Sequence, residues 1–498
     1  IALRIKHYIL YILYHFLGFL HFYNGKSYRK LKAKEFKKTS IQIYMIIGLE
    51  IHGYLETGEK LFCNCKNLSK DSKPNTNICP ICTSQPGSKP MLPNKEAVKK
   101  VIQIALMLKS KVNVIDDKKA LSWQRKHYDW PDLPKGYQNT LSGTYALPIA
   151  ENGKFFGIKI REMHLEEDPA AWDPETGQID YNRSGAPLVE IVTDPDFTSS
   201  EEVSNWLKQL ILTLSYIKAI NKGAGIKADV NINIPGVSER TEIKNLHSIS
   251  EIVKAIEYEF IRHKKEKSKI KETRRWNSQT GKTEPMREKE SQADYRFISD
   301  PDLPAIKITN KLVNEIKSKL PETPQEKLSK LIKKYKISQK DAQVLTNNLE
   351  LVEFFEKVAE KIHAEFALPW VTTELLRVLN YSKKSLEEVE IEAEHFIELL
   401  KAVKDKSITE LKAKQILNNF VPKSYSIKSE LKGHERITDK TELKDFCKQA
   451  IKNNKKAVED YKSGKRESFN FLMGEIMKLS NKRADYKSAS EVLKELLK

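Results

Sequence analysis

A change of hydrophobic period divides this chain and limits what it can fold into. From Met45 to about Ile308, apolar and polar residues alternate in "MIIGLEIHGYLE", "FFGIKIREMHLEE", "GAPLVEIVTD" and "GIKADVNINIP". Period two is the signature of half-buried strands. Turn sequences such as "ENGK" and "DPETGQ" separate them. Helical periodicity intervenes at "NKEAVKKVIQIALMLKS", "SEEVSNWLKQLILTLSYIKAI" and "SISEIVKAIEYEFIRHKKE". From about Asn310, after "DPDLPAIKI", the chain is lysine-rich, helical and almost free of glycine, with Pro321 and Pro324 at the transition. In "FNFLMGEIMK", Phe469, Leu472, Met473 and Ile476 fall on one helical face. The pattern predicts an α+β fold: a largely antiparallel sheet domain, then an all-α region that reads as a binding module.

Length and charge bound the function. The 498 residues suffice for two to four domains. A net charge of +19 favours a polyanionic partner, nucleic acid first, although a lysine-rich proteome gives the same excess. The opening residues 1–44 differ from the rest. "YILYILYHFLGFLHFY" is apolar but shorter than the ~20 residues of a spanning helix, and no acid precedes Glu35. Met45 directly precedes the first strand pattern, so 1–44 is read as an extension outside the fold, an over-extended reading frame or a targeting segment. No transmembrane helix is expected. A cytoplasmic protein follows, or an organellar one if that extension is a leader.

Four of the five cysteines lie close together, as Cys63-x-Cys65 and Cys79-x-x-Cys82. Two thiolate pairs on tight turns can close a tetrahedral Zn²⁺ site, and "NICPICTSQPG" has the proline and glycine such a knuckle uses. With four protein ligands the metal is structural. The alternative is four unligated thiols.

Alternation also sorts the acids. Glu50, His52, Tyr54 and Glu56 share one strand face, with Ile47, Leu49 and Ile51 on the other. "REMHLEEDPAAW" brings His164, Glu166, Glu167 and Asp168, and "DYNRSGAPLVEIVTD" brings Asp180, Asn182, Arg183 and Glu190. Glu190 interrupts an apolar strand, where an acid must be paired, liganded or functional. In "GIKADVNINIP", Lys227, Asp229, Asn231 and Asn233 form one face. Oxygen ligands from several strands suit Mg²⁺, which commonly serves substrate phosphates, so ATP chemistry is expected. No P-loop supports it: in "GYLETGEK", Glu59 stands where the lysine belongs and Lys60 where the hydroxyl belongs. The basic–aromatic "WQRKHYDWPDLPKGYQ", with Arg125, Lys126, His127 and Lys135, suits a nucleotide or an RNA end, or is an ordinary surface loop.

Taken together, "GLEIHGYLETGEKLFCNC", "RKHYDWPDLPKGYQ", "HLEEDPAAWDPETGQIDYNRSGAPLVEIVTDPD", "RTEIKNLHSI", "KETRRW" and "ADYRFISDPDLP" resemble the B subunit of the tRNA-dependent amidotransferase. "SQKDAQVLTNNLELVEFFE" is similar to that family's helical domain, and "FNFLMGEIMK" to its tail. The archaeal E subunit shares the opening motif but carries an inserted synthetase-type domain, for which this chain has no room.

The resemblance implies a glutamine synthetase-like cradle over 45–310 with the zinc knuckle at 63–82, a helical domain over 311–420, and a YqeY-like tRNA-binding tail over 421–498. It implies ATP-dependent phosphorylation of the side-chain carboxylate of Glu-tRNA(Gln) and/or Asp-tRNA(Asn). Amidation would follow with ammonia from the family's amidase (A) subunit, in a heterotrimer bridged by the small C subunit. It implies His52, Glu167 and Glu190 as Mg²⁺ ligands with Glu50 and Glu166 beside them, Lys126 at a tunnel mouth, Asp229 as an acid that relays ammonia, and Cys63, Cys65, Cys79 and Cys82 on Zn²⁺. Departures stand at Lys227, where the family has arginine, at Asn139–Leu141 in place of Ile-Ser-Gln, and in "NKRADYKSAS", which lacks the usual glycine and proline. The competing readings are a zinc-knuckle tRNA-binding protein without catalysis and a metal-dependent hydrolase that uses no ATP.

Overall fold

The structure, a computed structural model, describes residues 44–498 except 68–71, 116–120, 129, 144–145, 174, 222–224, 289–294 and 432–434. The extension assigned to 1–44 lies, Tyr44 apart, outside the described residues.

The strands are β1 (Ile46–Tyr54), β2 (Lys111–Val112), β3 (Gln124–Lys126), β4 (Gln138–Thr140), β5 (Ala150–Phe155), β6 (Ile158–Glu167), β7 (Ala171–Trp172), β8 (Ile179–Asp180), β9 (Pro187–Thr193), β10 (Ile226–Asn233), β11 (Thr241–Lys244), β12 (Glu272–Asn277), β13 (Lys282–Glu288) and β14 (Ile298–Ser299). Among the described residues, all but β7 and β8 form one twelve-stranded sheet of order β13-β12-β11-β10-β1-β9-β6-β4-β3-β14, with β5 and β2 branching from β6. Three helices lie in this region: α1 (Lys95–Met107), α2 (Ser200–Tyr216) and α3 (Ile249–Glu266). Each begins where a side chain caps free amides: Asn94 accepts from Glu96 N and Ala97 N, Ser199 from Glu202 N, and Ser248 from Glu251 N.

The sheet is mixed. Every ladder is antiparallel except β11–β12, which is parallel. The cause is α3, which carries the chain from one to the other; a crossover of that length joins parallel neighbours, and a tight turn cannot. Such a pairing is non-local and leaves no trace in alternation.

Alternation decides which face is core. In β1 and β10, Ile47, Leu49, Ile51, Ala228, Val230 and Ile232 are at most 1% exposed. They bury against helix residues such as Ile102, Leu207, Leu210, Leu214 and Ile256. The opposite face stays polar, because the intervening residues are Glu50, His52, Lys227 and Asp229.

Beyond Asn310 the secondary structure is helical, two isolated bridges aside. Among the described residues, hydrophobic packing forms three large clusters, from Met45 to Ile316, from Leu331 to Ile427 and from Ile437 to Leu497, and a small one of Tyr54, Ala186 and Leu188. The tail helix Glu467–Leu479 buries Leu472, Met473 and Ile476, as its spacing predicts. The sheet region contacts the helical region through Tyr216, whose hydroxyl donates to Thr346 O (2.8 Å), and through Lys218, which pairs with Glu350 (3.0 Å). No helix of the described residues is long and apolar enough to cross a membrane.

Candidate active site and metal centre

Register brings the acids together. In the central strands His52 lies opposite Glu190, and Glu190 opposite His164, so β1, β9 and β6 present one row across the polar face. Glu50 lies opposite Asp229 on β10. His52 Nε2 is 3.5 Å from Glu190, 3.7 Å from Glu166 and 3.9 Å from Glu50. One ligand atom from each of Glu50, His52 and Glu190 fits within 4.8 Å. Two carboxylates and an imidazole at that spacing can hold a metal ion.

The cluster's protonation follows from burial and mutual charge. Burial favours neutral His52, but the hydrogen bond and charge of Glu190, with Glu50 and Glu166, win and hold the imidazolium up to about 10. Burial likewise works against a charged His164, yet Glu162 and Glu190 hold it up to about 9. Glu166 is pushed up to about 8 by burial and by the charge of Glu190. Glu50 is raised for the same two reasons. Glu190 goes the other way: burial opposes its charge, but the His52 hydrogen bond and the His164 charge hold it well below the usual carboxylate range. Lys126 on β3 stays charged despite burial, because it faces Glu166, Glu190 and Glu50; its ammonium also lies 4.9 Å from the Tyr295 ring centre. Asp229 pairs with Lys244 (2.6 Å), which Glu242 also neutralises at 3.2 Å.

Glu167 does not join this group. It follows Glu166 directly on β6, and neighbouring residues of a strand leave on opposite sides. Its carboxylate pairs with Lys135 and accepts from Asn139 N (2.9 Å). Asn139 in turn donates to Asp300 (2.6 Å), which pairs with Arg125 (2.8 Å). The place beside His52 and Glu190 falls instead to Glu50 and Glu166. Most of the basic residues of "WQRKHYDWPDLPKGYQ" are therefore engaged within the fold. Asp180 and Asn182 are engaged too: Asp180 accepts from Asn75 N (2.9 Å) and Asn182 from Asn77 N (2.8 Å), which ties the second cysteine arm to the turn before β9.

Sequence reasoning left two further groups unassigned. Tyr54, on the same face as His52, donates to Asp168 (2.7 Å) and accepts from Lys227 (2.9 Å), while Arg183 pairs with Asp168 (3.0 Å). Lys244 is the second; its alternation with Glu242 in "RTEIKN" is the signal that could have found it.

The four cysteines converge. One sulfur from each of Cys63, Cys65, Cys79 and Cys82 lies within 4.8 Å of the others. All four are free thiols, and Cys79 N donates to Cys82 Sγ (3.2 Å), the kind of amide–sulfur bond that favours thiolate. The donor set fits a closed tetrahedral metal site.

Comparison with known proteins agrees with this arrangement. The family model described as the GatB/GatE catalytic domain matches residues 45–314, and the one described as the GatB domain matches 353–497. The aspartyl/glutamyl-tRNA(Asn/Gln) amidotransferase B subunit of Methanocaldococcus jannaschii is 44% identical over 474 residues, covering 91% of this chain and 98% of that protein. The chain belongs to the GatB/GatE family. The B subunit of Methanococcus maripaludis is 43% identical over 91% of this chain and 99% of its own length. That of Methanothermobacter thermautotrophicus is 42% identical over 91% and 100%. All three are named as B subunits, so the GatB side of the family is the one this chain matches along its length.

Proposed function

We propose that this chain is the carboxylate-activating B subunit of a tRNA-dependent amidotransferase. It acts on Glu-tRNA(Gln) and/or Asp-tRNA(Asn), in a complex with the amidase and small bridging subunits. The observation that carries the reading is the convergence of Glu50, His52 and Glu190 on the polar sheet face, with Lys126 and Glu166 beside them.

A carboxylate resists ammonia because oxide is too poor a leaving group. The side-chain carboxylate first attacks the γ-phosphorus of ATP, which releases ADP and leaves an acyl phosphate. Ammonia then adds to the acyl carbon, loses a proton, and phosphate departs with the bonding pair. The chain's residues would bind, orient and move protons. Glu50, His52 and Glu190 would hold Mg²⁺, which when bound offsets the negative charge of the phosphates. Lys126 supplies a fixed positive charge on the same face. Glu166, whose proton burial and Glu190 hold near neutrality, is placed to exchange a proton with the incoming amine. Asp229, paired with Lys244, stands on the same face, where it would relay ammonia and take up its proton. The four cysteines would hold a structural Zn²⁺ that pins the loop after β1. We assign 45–310 to a cradle that does this chemistry, and 311–420 and 421–498 to helical and tail units that grip the tRNA body. The lysines of the helical region fit that role.

The test is amidation of mischarged tRNA by the assembled complex, with ammonium chloride in place of glutamine. Product must require ATP and this chain. Tight tRNA binding without ATP turnover would favour the non-catalytic reading, and deacylation without ATP the hydrolase.

A further inference from the structure

Lys60 is 1% exposed, among the most completely buried large side chains of the described residues. It lies on the arm between β1 and Cys63. Its ammonium donates to Tyr181 O (3.1 Å) and to Cys82 Sγ (3.5 Å), and no carboxylate of the described residues forms an ion pair with it. An ammonium buried with one carbonyl and one sulfur as its partners calls for negative charge on that sulfur. The sulfur cluster is the group at hand. Four thiolates around a divalent ion carry a net charge of −2, and one buried ammonium halves that.

The surroundings are built for this placement. Gly185, whose φ of +83° favours glycine, packs against both groups: a Cβ there would sit in van der Waals contact with Lys60 Cδ (3.7 Å) and Cys82 Cβ (3.8 Å). Leu61 N donates to Gly185 O (2.8 Å), and the Ser184 hydroxyl donates to Cys82 O (2.7 Å). The ammonium thus meets three segments at one point: the arm after β1, the second cysteine pair, and the turn before β9.

We propose that Lys60 is the charge-compensating donor of the four-cysteine metal site, a positioning residue that raises the site's affinity for a divalent ion and fastens it to the sheet. This rests on the reading that the cysteines hold a metal. The experiment uses the full chain, metal-stripped, as wild type and as Lys60→Met, Lys60→Gln and Lys60→Arg. Co²⁺ titration reports the four-sulfur charge-transfer bands, and Zn²⁺ competition against a chromophoric chelator gives affinity. Partners that support metal ligands typically contribute 10–100-fold. K60M and K60Q should lose about that factor while keeping the four-sulfur bands, and K60R should recover most of it. K60Q, which keeps a donor without the charge, makes the test independent of whether K60M folds. Wild-type affinity in K60Q overturns the proposal. Absence of thiolate bands in the wild type overturns instead the metal reading on which it depends.

Discussion

Replacing Glu190 by glutamine removes one charge from the centre of the acid row and changes little else in shape. Glu190 stands 3.5 Å from His52 Nε2. At that distance, with an effective dielectric near 20, the pair is worth ~5 kcal/mol before desolvation. The imidazole's rise from 6.5 to about 10 corresponds to a similar ~5 kcal/mol preference for the protonated ring. Glu190 is thus the main reason His52 keeps its proton, with Glu50 and Glu166 adding to it. In metal-free Glu190→Gln the His52 midpoint should fall by about two pH units or more, read from the ring resonances of labelled histidine. The sign for stability follows. A group whose folded pKa is raised stabilises fully below its unfolded value and loses that contribution as pH climbs through the folded one. Wild type in chelator should therefore lose stability between pH 6.5 and about 10, and the variant should lose much less over the same range. Function should fall as well. A carboxylate lost from a phosphate-serving cation site removes on the order of 3 kcal/mol of transition-state stabilisation, a factor of about a hundred in turnover. The assay is ammonium-dependent amidation by the assembled complex under single-turnover conditions, with tRNA binding measured in parallel. Turnover within threefold of wild type, with an unchanged His52 midpoint, would refute the assigned centre.

Further outcomes test other parts of the structure. On the proposed Mg²⁺ centre, binding displaces the His52 proton, so Mg²⁺ affinity for the nucleotide-free chain should rise with pH by up to tenfold per unit between pH 7 and 9 in calorimetric titrations; a flat profile would remove His52 from the site. Glu259→Leu takes from buried Arg262 its bidentate partner (3.1 Å to one oxygen, 2.7 Å to the other), while Glu272 and Glu266 still pair with the guanidinium, and should cost about 1–3 kcal/mol in denaturant unfolding of the sheet region. Ile51→Ala, at 1% exposure in the central strand, should cost about 2–5 kcal/mol by the same measurement. Cys65→Ser should abolish tight Zn²⁺ retention on dialysis, while an isolated change at Cys447, which sits in the tail core, should leave it intact.

Periodicity carried much of the fold. The core and polar faces of β1 and β10 follow residue by residue from alternation, and the helices of the sheet region start and stop close to their capping residues and last apolar turns. The parallel β11–β12 ladder was not legible, because it depends on where a crossover helix lands. The acid row shows the same limit. Alternation places Glu162, His164 and Glu166 on one face and Glu167 on the other, but which face meets Glu190 is set by the β6–β9 register, where His164 lies opposite Glu190 and Glu166 opposite Leu188. A sequence does not print that register. The cysteine site was legible because its spacing is local. Lys60 was not, since its significance comes from burial against Cys82 and Tyr181, two partners remote along the chain.

The central claim is that the γ-phosphoryl of ATP passes to the side-chain carboxylate of an aminoacyl-tRNA on this chain. Mischarged tRNA carrying ¹⁸O in that carboxylate tests it directly, with the assembled complex, ATP, Mg²⁺ and ammonium. The expected result is one ¹⁸O in each phosphate released and one retained in the amide. Unlabelled phosphate alongside amide product would show that the carboxylate never attacked phosphorus, and would contradict the account.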